Sequence, residues 1–583
     1  MVYIRLKSTG KVHEADVSDR CIDKYIYVSK DGVIIRPIDI KGFVTHIYYN
    51  ENTNLLDMIN QAILTLRKQD KYDFEINIVV NSKLGDNPIY KIKPDETGST
   101  VFQSDPHKQN IIITHDASSF TFDAQESLAT SPLFMLKQPT TSFDKQFTMN
   151  NFKFIFNKQK SWFSLLGSVT LTLSGAHFEN NSYTPIVSQG ENNSSTLNLT
   201  NCDAYNNGNI TDSSGGFVKS SKTTINMNTT DPTFMMKNNK ALHGGVFYLK
   251  DSSLNITYDL PGHSSGQASN VQIIRDNNAK QNGGFIYAIN SNINFSGTTG
   301  DSTPAMNLYG NSANKGGAIW LNNSLFTINS LNDKRLRLDF RRNNRINPAV
   351  SGGAIYLENN SAVTCSDTTV HFYKNSAIEG GGIYMQNGII IMDEVIFDGG
   401  NTHGAFPEKD KVKGGAIYAT ANSTSNSTID ITTLHAINNL AASGAILYLG
   451  QNTTTGITKS FVYKNNYSLN DNCNNLIYIE TPKPSNTLLF ELPREVDLSS
   501  IIYPLDNSMA CSKGCQDTST TPNSVAPILC SPGDSNFACS NFDNNMTNCL
   551  YNIQGPDVGP YYNCFYDDTN DKCIKSNKKC FKQ

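Results

Sequence analysis

Two series of side chains in this sequence could contact a ligand. Tyr248, Tyr287, Trp320, Tyr356, Tyr384, Tyr418, Tyr448 and Tyr478 hold the same place in eight successive copies of one short motif. Aligned along a face, such rings either stack on the sugar rings of a ligand or stack on one another and stabilise the scaffold. A basic run, Arg335-Leu-Arg-Leu-Asp-Phe-Arg-Arg-Asn-Asn-Arg345, alternates at strand period. Leu336, Leu338 and Phe340 are expected inside, and Arg335 and Arg337 outside. With Arg341, Arg342 and Arg345 they form either a site for an acidic glycan or an ordinary solvated strand face.

Acid–base chemistry has less support. Asp393, Glu394 and Asp398 fall close together, but aligned positions nearby offer Thr369 and polar loop residues, so a solvated surface is expected. His243 beside Gly244 reads as a lone turn histidine. The Asn-Thr-Asp and Gly-His-Gly motifs of polygalacturonases are absent, as are a Walker loop, His-Glu-x-x-His and a nicotinamide fingerprint. No catalytic residue, cofactor or metal is expected.

Covalent chemistry is concentrated elsewhere. Of 12 cysteines, Cys21, Cys202, Cys365 and Cys473 are scattered. Cys511, Cys515, Cys530, Cys539, Cys549, Cys564, Cys573 and Cys580 form a dense, even cluster, the pattern of a disulfide framework. Eight cysteines allow 105 pairings, so the connectivity stays open. No Cys-x-x-Cys pair points to zinc. Fifteen Asn-x-Ser/Thr sequons run from Asn180 to Asn545. Asn198, Asn255, Asn294, Asn322, Asn422 and Asn466 are candidate glycosylation sites. Both signals favour an extracellular or cell-surface location, although Met1–Gly10 does not read as a signal peptide. The start is therefore expected to be truncated, or export unconventional.

Composition narrows the class. The 583 residues carry a net charge of −4 and only 17% charged side chains, the balance made up by Asn, Ser and Thr. A strongly basic balance would indicate nucleic acid; none is present, and nucleic acid is not an expected partner. No run of 18 apolar residues encodes a membrane span.

What positions the aromatic series is a repeat. Gly215-Gly-Phe-Val, Gly244-Gly-Val-Phe-Tyr-Leu, Gly283-Gly-Phe-Ile-Tyr-Ala, Gly316-Gly-Ala-Ile-Trp-Leu, Gly352-Gly-Ala-Ile-Tyr-Leu, Gly380-Gly-Gly-Ile-Tyr-Met and Gly414-Gly-Ala-Ile-Tyr-Ala are its copies. Gly444-Ala-Ile-Leu-Tyr-Leu and Asn474-Asn-Leu-Ile-Tyr-Ile are degenerate ones, and the starts lie 28 to 39 residues apart. A second element, apolar-x-x-Asn, precedes most copies: Ile274-x-x-Asn277, Leu308-x-x-Asn311, Phe340-x-x-Asn343, Phe372-x-x-Asn375 and Val462-x-x-Asn465. Strands this short, at a spacing this variable, fit a β-helix whose insertions bulge from the turns. Each coil would pair with the next at about 4.8 Å, with Asn in the turns forming an amide ladder. Val218, Phe247, Ile286, Ile319, Ile355, Ile383, Ile417, Leu447 and Ile477 are placed inside, and the aromatic position next to each points the other way.

The paired Gly-Gly-Ala-Ile and Phe-x-x-Asn motifs resemble the repeats of chlamydial polymorphic outer membrane proteins, also found in protist surface proteins. The resemblance covers roughly residues 178–480. It implies a single-stranded right-handed parallel β-helix, pectin-lyase-like, in an adhesin or surface antigen. No C-terminal membrane β-barrel follows, so bacterial autotransport is not implied.

The expected organisation has five parts: N-terminal strands and a capping helix (1–75), irregular early coils (76–177), the repeat region (178–480), a C-terminal cap (481–510) and a Cys-rich module (511–583). Residues 54–67 carry the helical spacing Leu55, Met58, Ile59, Ala62, Ile63, Leu66. Ile76-Asn-Ile-Val-Val reads as the first core strand. The expected function is non-enzymatic: adhesion, recognition or surface and matrix structure, with glycans or surface proteins as partners. The alternatives are a carbohydrate-active lyase or glycoside hydrolase on this fold, and a structural part of an intracellular granule or cortex.

Overall fold

The computed structural model describes residues 109–480 with short gaps. Isolated helical and strand segments are described between residues 27 and 100 and beyond 487. The chain divides into two compact units: Met1–Asn343 with Ile355–Thr369, and Asn344–Ala354 with Val370–Gln583. Both are built almost wholly from short parallel strands, in which each strand hydrogen-bonds the equivalent strand of the next coil.

In the first unit a coil has three sides. A long strand such as Val169–Ser174 is followed by a short one, His177–Glu179, and then by a strand of a second sheet, Ile186–Gln189. One coil later Ser195–Thr200, Asp203–Tyr205 and Val218–Ser221 repeat the path directly above. The long strands alternate strictly, with Val169, Leu171 and Leu173 buried and Thr170, Thr172 and Ser174 facing outward. Alternation at period two is what gives a sheet one apolar and one polar face.

The expected inner position is confirmed throughout both units. Val218, Phe247, Ile286, Ile319 and Ile355 stack in register in the first unit, and Ile383, Ile417, Leu447 and Ile477 in the second, all 0% exposed. The early coils lack Gly-Gly but fill the same space with rings. Phe122, Phe154 and Phe178 stack one above the other at 5.6 and 4.9 Å, with Trp162 wholly buried beside them.

The two glycines of each repeat do different work. Gly283 turns the chain at φ 64°, where a Cβ is disfavoured. Gly284 keeps an ordinary φ, but a Cβ there would collide with the carbonyl oxygen of Gly317 on the next coil. Close approach of backbones, rather than turn geometry alone, requires the second glycine.

The stack begins one strand earlier than expected. Gly42–Tyr49 already pairs in parallel with Phe74–Ser82, so the run at Ile76 is not the first strand. Leu55, Asp57, Met58, Ile59 and Gln61 are helical, with Leu55 and Ile59 buried, and the Leu55 amide donates to the Tyr90 hydroxyl at 3.0 Å. Ala62, Ile63 and Leu66 lie outside the described residues. No helix among the described residues is long and apolar enough to cross a membrane.

The second unit repeats the scheme with Ile389–Asp398, Ser427–Ile437 and Thr453–Lys464 in one sheet. Ile383–Gln386, Ile417–Thr420, Leu447–Leu449 and Ile477–Ile479 form the other. Farther along, Tyr561–Asp567 and Lys572–Cys580 form an antiparallel hairpin that carries Cys564, Cys573 and Cys580. Its register sets Cys573 opposite Tyr566 and Cys580 opposite Tyr561. Cys511, Cys515, Cys530, Cys539 and Cys549 lie outside the described residues. Cys202 is a free, fully buried thiol, and burial pushes its pKa up to about 12.

Candidate recognition surfaces

Three ladders run along the first unit, and they account for most of its recurring polar and aromatic residues. The first is interior. Asn181, Asn207, Asn239, Asn277, Asn311 and Asn343 are stacked at the corner before the Gly-Gly turn, each 0% exposed. The Asn277 amide donates to Asn311 Oδ1 at 3.0 Å and to the Met236 carbonyl at 3.0 Å. Its own oxygen accepts from the Asn239 side chain at 2.9 Å and the Asn239 backbone at 3.0 Å. Both donors and both lone pairs are used, which is what permits an amide to be buried.

A serine ladder runs along another corner, between the second-sheet strand and the long strand of each coil. The Ser252 amide donates to Ser291 Oγ at 3.1 Å, Ser291 to Ser324 at 3.0 Å and Ser324 to Ser361 at 3.2 Å. Each serine follows an Asx residue at positive φ: Asp251, Asn290, Asn323 and Asn360. Reading of the sequence missed this ladder, although the recurring Asx-Ser pair is its signal.

The aromatic series is the third. Tyr248, Tyr287, Trp320 and Tyr356 stack in the first unit with centroids 5.1, 4.3 and 6.3 Å apart. Tyr384, Tyr418, Tyr448 and Tyr478 stack in the second at 5.0, 4.7 and 4.8 Å. The rings do point away from the core, but they are not an open platform. Trp320 is 5%, Tyr356 3% and Tyr448 2% exposed, because each ring covers its neighbour and lysine chains lie over the edge. Lys315 Nζ sits 5.0 Å from the Tyr356 centroid and Lys413 Nζ 4.9 Å from that of Tyr448. Burial pushes Tyr287 up to about 12 and raises Tyr418 and Tyr448 well above their ordinary values. His243 packs 4.7 Å from the Tyr287 ring, and burial lowers its pKa.

The arginine run is likewise engaged. Leu336, Leu338 and Phe340 are buried as expected. Asp339 is also buried, at 1%; Arg337 donates to it at 2.9 and 3.3 Å, and Arg341 Nε lies 3.9 Å away. Arg342 donates to the Tyr309 hydroxyl at 3.3 Å. Arg335 and Arg345 lie outside the described residues. These guanidinium groups neutralise a buried carboxylate and hydrogen-bond a neighbouring phenol within their own fold.

Two sequence expectations need correction. Val462 is exposed and Phe461 is buried, so the second unit's amide ladder runs through Asn466, not Asn465. Asn466 accepts from the backbone and the side chain of Asn439, both at 2.9 Å, and donates to the Ala436 carbonyl at 2.8 Å. A buried amide with these partners has no room for a glycan, so Asn466 is a ladder residue rather than an acceptor. Asn322 is half-buried and donates to Glu358 at 2.8 Å, while Asn422 is exposed.

Two outer facets of the first unit remain open. One carries charge. Lys153, His177 and Asp203 are aligned on successive coils, as are Glu179, Tyr205 and Lys237. His177 Nε2 lies 3.2 Å from Glu179 and Nδ1 3.6 Å from Asp203; Lys153 Nζ is 3.0 Å from Glu179. Burial opposes ionisation of Glu179, but Lys153 and then His177 outweigh it and hold the carboxyl below its ordinary value. Sequence reading missed this cluster, because its members are 24 to 26 residues apart and meet only through coil register. On the following coil Glu394 is aligned with Thr433 and Asp398 with Ile437. No cluster of His, Cys, Asp and Glu among the described residues is arranged to hold a metal ion.

The other facet is neutral. Eight long strands, from Lys145–Asn150 to the start of Ala362–Tyr373, each present three outward positions in unbroken register. None of these positions is charged or aromatic, and all but Leu325 and Ala362 are Asn, Gln, Ser or Thr. The central column runs Thr148, Thr172, Asn198, Asn226, Asn255, Asn294, Thr327, Thr364. Asn255 donates to Asn226 at 2.9 Å, Asn226 to Asn198 at 3.0 Å and Asn198 to Thr172 at 3.3 Å. The sequons at Asn198, Asn255 and Asn294 therefore fall on one face.

A Gly-x-Ser-x-Gly run, Gly262-His-Ser-Ser-Gly266, has the spacing of a hydrolase nucleophile elbow and lies outside the described residues. No family model matches the chain, and no curated protein or solved structure matches it.

Proposed function

We propose that this chain is a non-enzymatic, secreted or cell-surface β-helix acting in adhesion, recognition or surface and matrix structure, with the neutral facet as its contact surface. The observation that carries this reading is how the polar residues are used. The interior amides and serines hold the stack, the aromatic rings cover one another, and the arginines neutralise Asp339. That leaves a long, flat, uncharged and pre-ordered array facing outward. Right-handed winding is expected of parallel crossovers. In this proposal the helix at Leu55 caps the stack, the cysteine-rich tail is a disulfide module, and the polymorphic-outer-membrane-like repeat marks a protist surface protein.

The test uses the full chain, tagged and expressed in a eukaryotic cell. Surface labelling of intact cells is expected to reach the protein, and beads coated with it are expected to bind cells. Thr196→Lys with Thr224→Lys, which charges the facet, is expected to lower bead binding at least tenfold. Labelling only after permeabilisation, with free tail thiols and with the sequons outside this facet bare, would instead favour an intracellular granule or cortex role.

A carbohydrate-active lyase or hydrolase is a second reading, favoured by His177, Glu179 and Asp203 meeting across neighbouring coils. Release of reducing or unsaturated ends from polysaccharides, lost in Glu179→Gln and Asp203→Asn, would establish it.

A further inference from the structure

We propose that the occupant of the neutral facet is a second copy of this chain, paired face to face so that the contact is homophilic. This rests on the reading of that facet as a contact surface, and goes beyond it by naming the partner.

The first reason is periodicity. Outward side chains repeat at about 4.8 Å from coil to coil and about 6.7 Å along each strand. A ligand that contacts all eight coils must keep the same repeat, or it drifts out of register. A second copy of this facet has that repeat by construction.

The second reason is chemistry. A facing copy brings no like charge against like at the described outward positions, none of which is charged. The adjacent facet, with Lys153, Glu179 and Asp203, could not face itself so freely. Asn226 uses one N–H toward Asn198 and accepts one bond from Asn255, which leaves one donor and one acceptor site for a partner. Amide and hydroxyl ladders that interdigitate in this way form the dry contacts of paired β-sheets. The facet also lacks an aromatic ring, the feature on which a short saccharide would stack.

The third reason is size and order. Eight strands of five to six residues cover about 38 by 18 Å, roughly 700 Å² per copy, close to the ~800 Å² per partner of a standard interface. The ladder bonds already hold the side chains in place, so little further rotamer freedom is lost on pairing. A two-fold axis lying in the contact plane, along the stacking direction, would set the strands antiparallel and close the pair as a dimer, without open-ended growth. The sequons at Asn198, Asn255 and Asn294 lie under that contact, so a glycan on any of them would block it.

The test is sedimentation of the full chain secreted from cells in which N-glycan attachment is blocked, over nanomolar to high-micromolar concentration, because enzymatic removal would turn each glycosylated Asn into a charged Asp or leave a sugar on it. The expected result is a monomer–dimer equilibrium in the micromolar range, weakened at least 30-fold by Asn226→Arg with Asn255→Arg. Circular dichroism melting checks that the variant is folded. The same chain secreted with N-glycans on these sequons is expected to stay a monomer. A wild-type chain that stays monomeric at every concentration overturns the proposal, whatever the variant does. So does a dimer that the folded variant retains.

The bead assay separates the two readings. If the wild-type chain is monomeric but charging the facet still abolishes bead binding, the partner is a different molecule. Only the homophilic inference then falls, and sedimentation of the chain with insoluble neutral polysaccharide identifies a glycan as that partner. If charging the facet changes neither assay, both readings fall.

Discussion

Asparagine forms two parallel ladders in the first unit, and the two behave oppositely. The inner one, from Asn181 to Asn343, is sealed from water and fully bonded. The outer one is linked from Asn255 through Asn226 to Asn198, with Asn294 accepting from Asn329, but keeps donors and acceptors toward solvent. Residue type and repeat distance are the same, so environment alone separates them. An amide without water must find every partner in its own fold, and removing one leaves several buried groups unpaired. An amide on the surface exchanges any lost partner for water. The inner ladder is therefore scaffold, and the outer one is surface free to serve another purpose.

The largest expected effect tests that difference from the inside. Asn277→Ala leaves the Asn239 backbone and side-chain donors, the Met236 carbonyl and Asn311 Oδ1 without their partner. A loss of about 3–4 kcal/mol is expected in chemical denaturation. A loss below about 1 kcal/mol would mean that water or a shifted neighbour replaces the amide, and the contrast between the ladders would collapse.

Next comes the backbone approach on which both ladders depend. Gly284→Ala forces a methyl against the Gly317 carbonyl and should cost about 1–3 kcal/mol by the same measurement. A neutral result would show that the coils can separate locally.

Alkaline titration examines the covered rings. An unfolded tyrosine ionises near pH 10, while burial holds Tyr287 near 12 and Tyr418 and Tyr448 higher still. The folded state thus favours the neutral phenol. Its contribution to stability is complete below pH 10 and is lost as pH rises toward 12 and beyond. Melting temperature should fall over that window together with the appearance of phenolate absorbance. Phenolate formation near pH 10 with no loss of stability would mean the rings are open to water.

The smallest effect is expected outside. Asn255→Ala should change stability by no more than about 0.5 kcal/mol, because its partners turn to solvent. A cost matching that of Asn277→Ala would make the outer ladder scaffold as well, and would remove the basis for reading the facet as a contact surface.

Much of the fold was legible before any coordinates. The Gly-Gly spacing located each coil, and alternation placed Ile286, Ile319 and Ile355 inside, as found. The same alternation placed the rings of Tyr287 and Trp320 away from the core but could not show that they are covered, since covering comes from the coil above and below. Asn465 was read as the ladder position where Asn466 serves, because the degenerate copies near the end of the repeat no longer anchor the register.

The candidate surfaces were legible only in part. The neutral facet is written in runs such as Thr170-Leu-Thr-Leu-Ser and Thr196-Leu-Asn-Leu-Thr, yet it becomes a surface only when those runs stand in register. His177, Glu179 and Asp203 give no local signal at all.

The sequence by itself determined the period, the strands and which side chains enter the core, because these follow from nearest-neighbour chemistry along one chain: glycine where backbones touch, apolar residues every second position. The tertiary structure alone decided which residues on different coils meet, which amides are closed off from water and which remain open. Those depend on stacking at about 4.8 Å between segments some thirty residues apart, a distance in sequence across which local patterning carries no information.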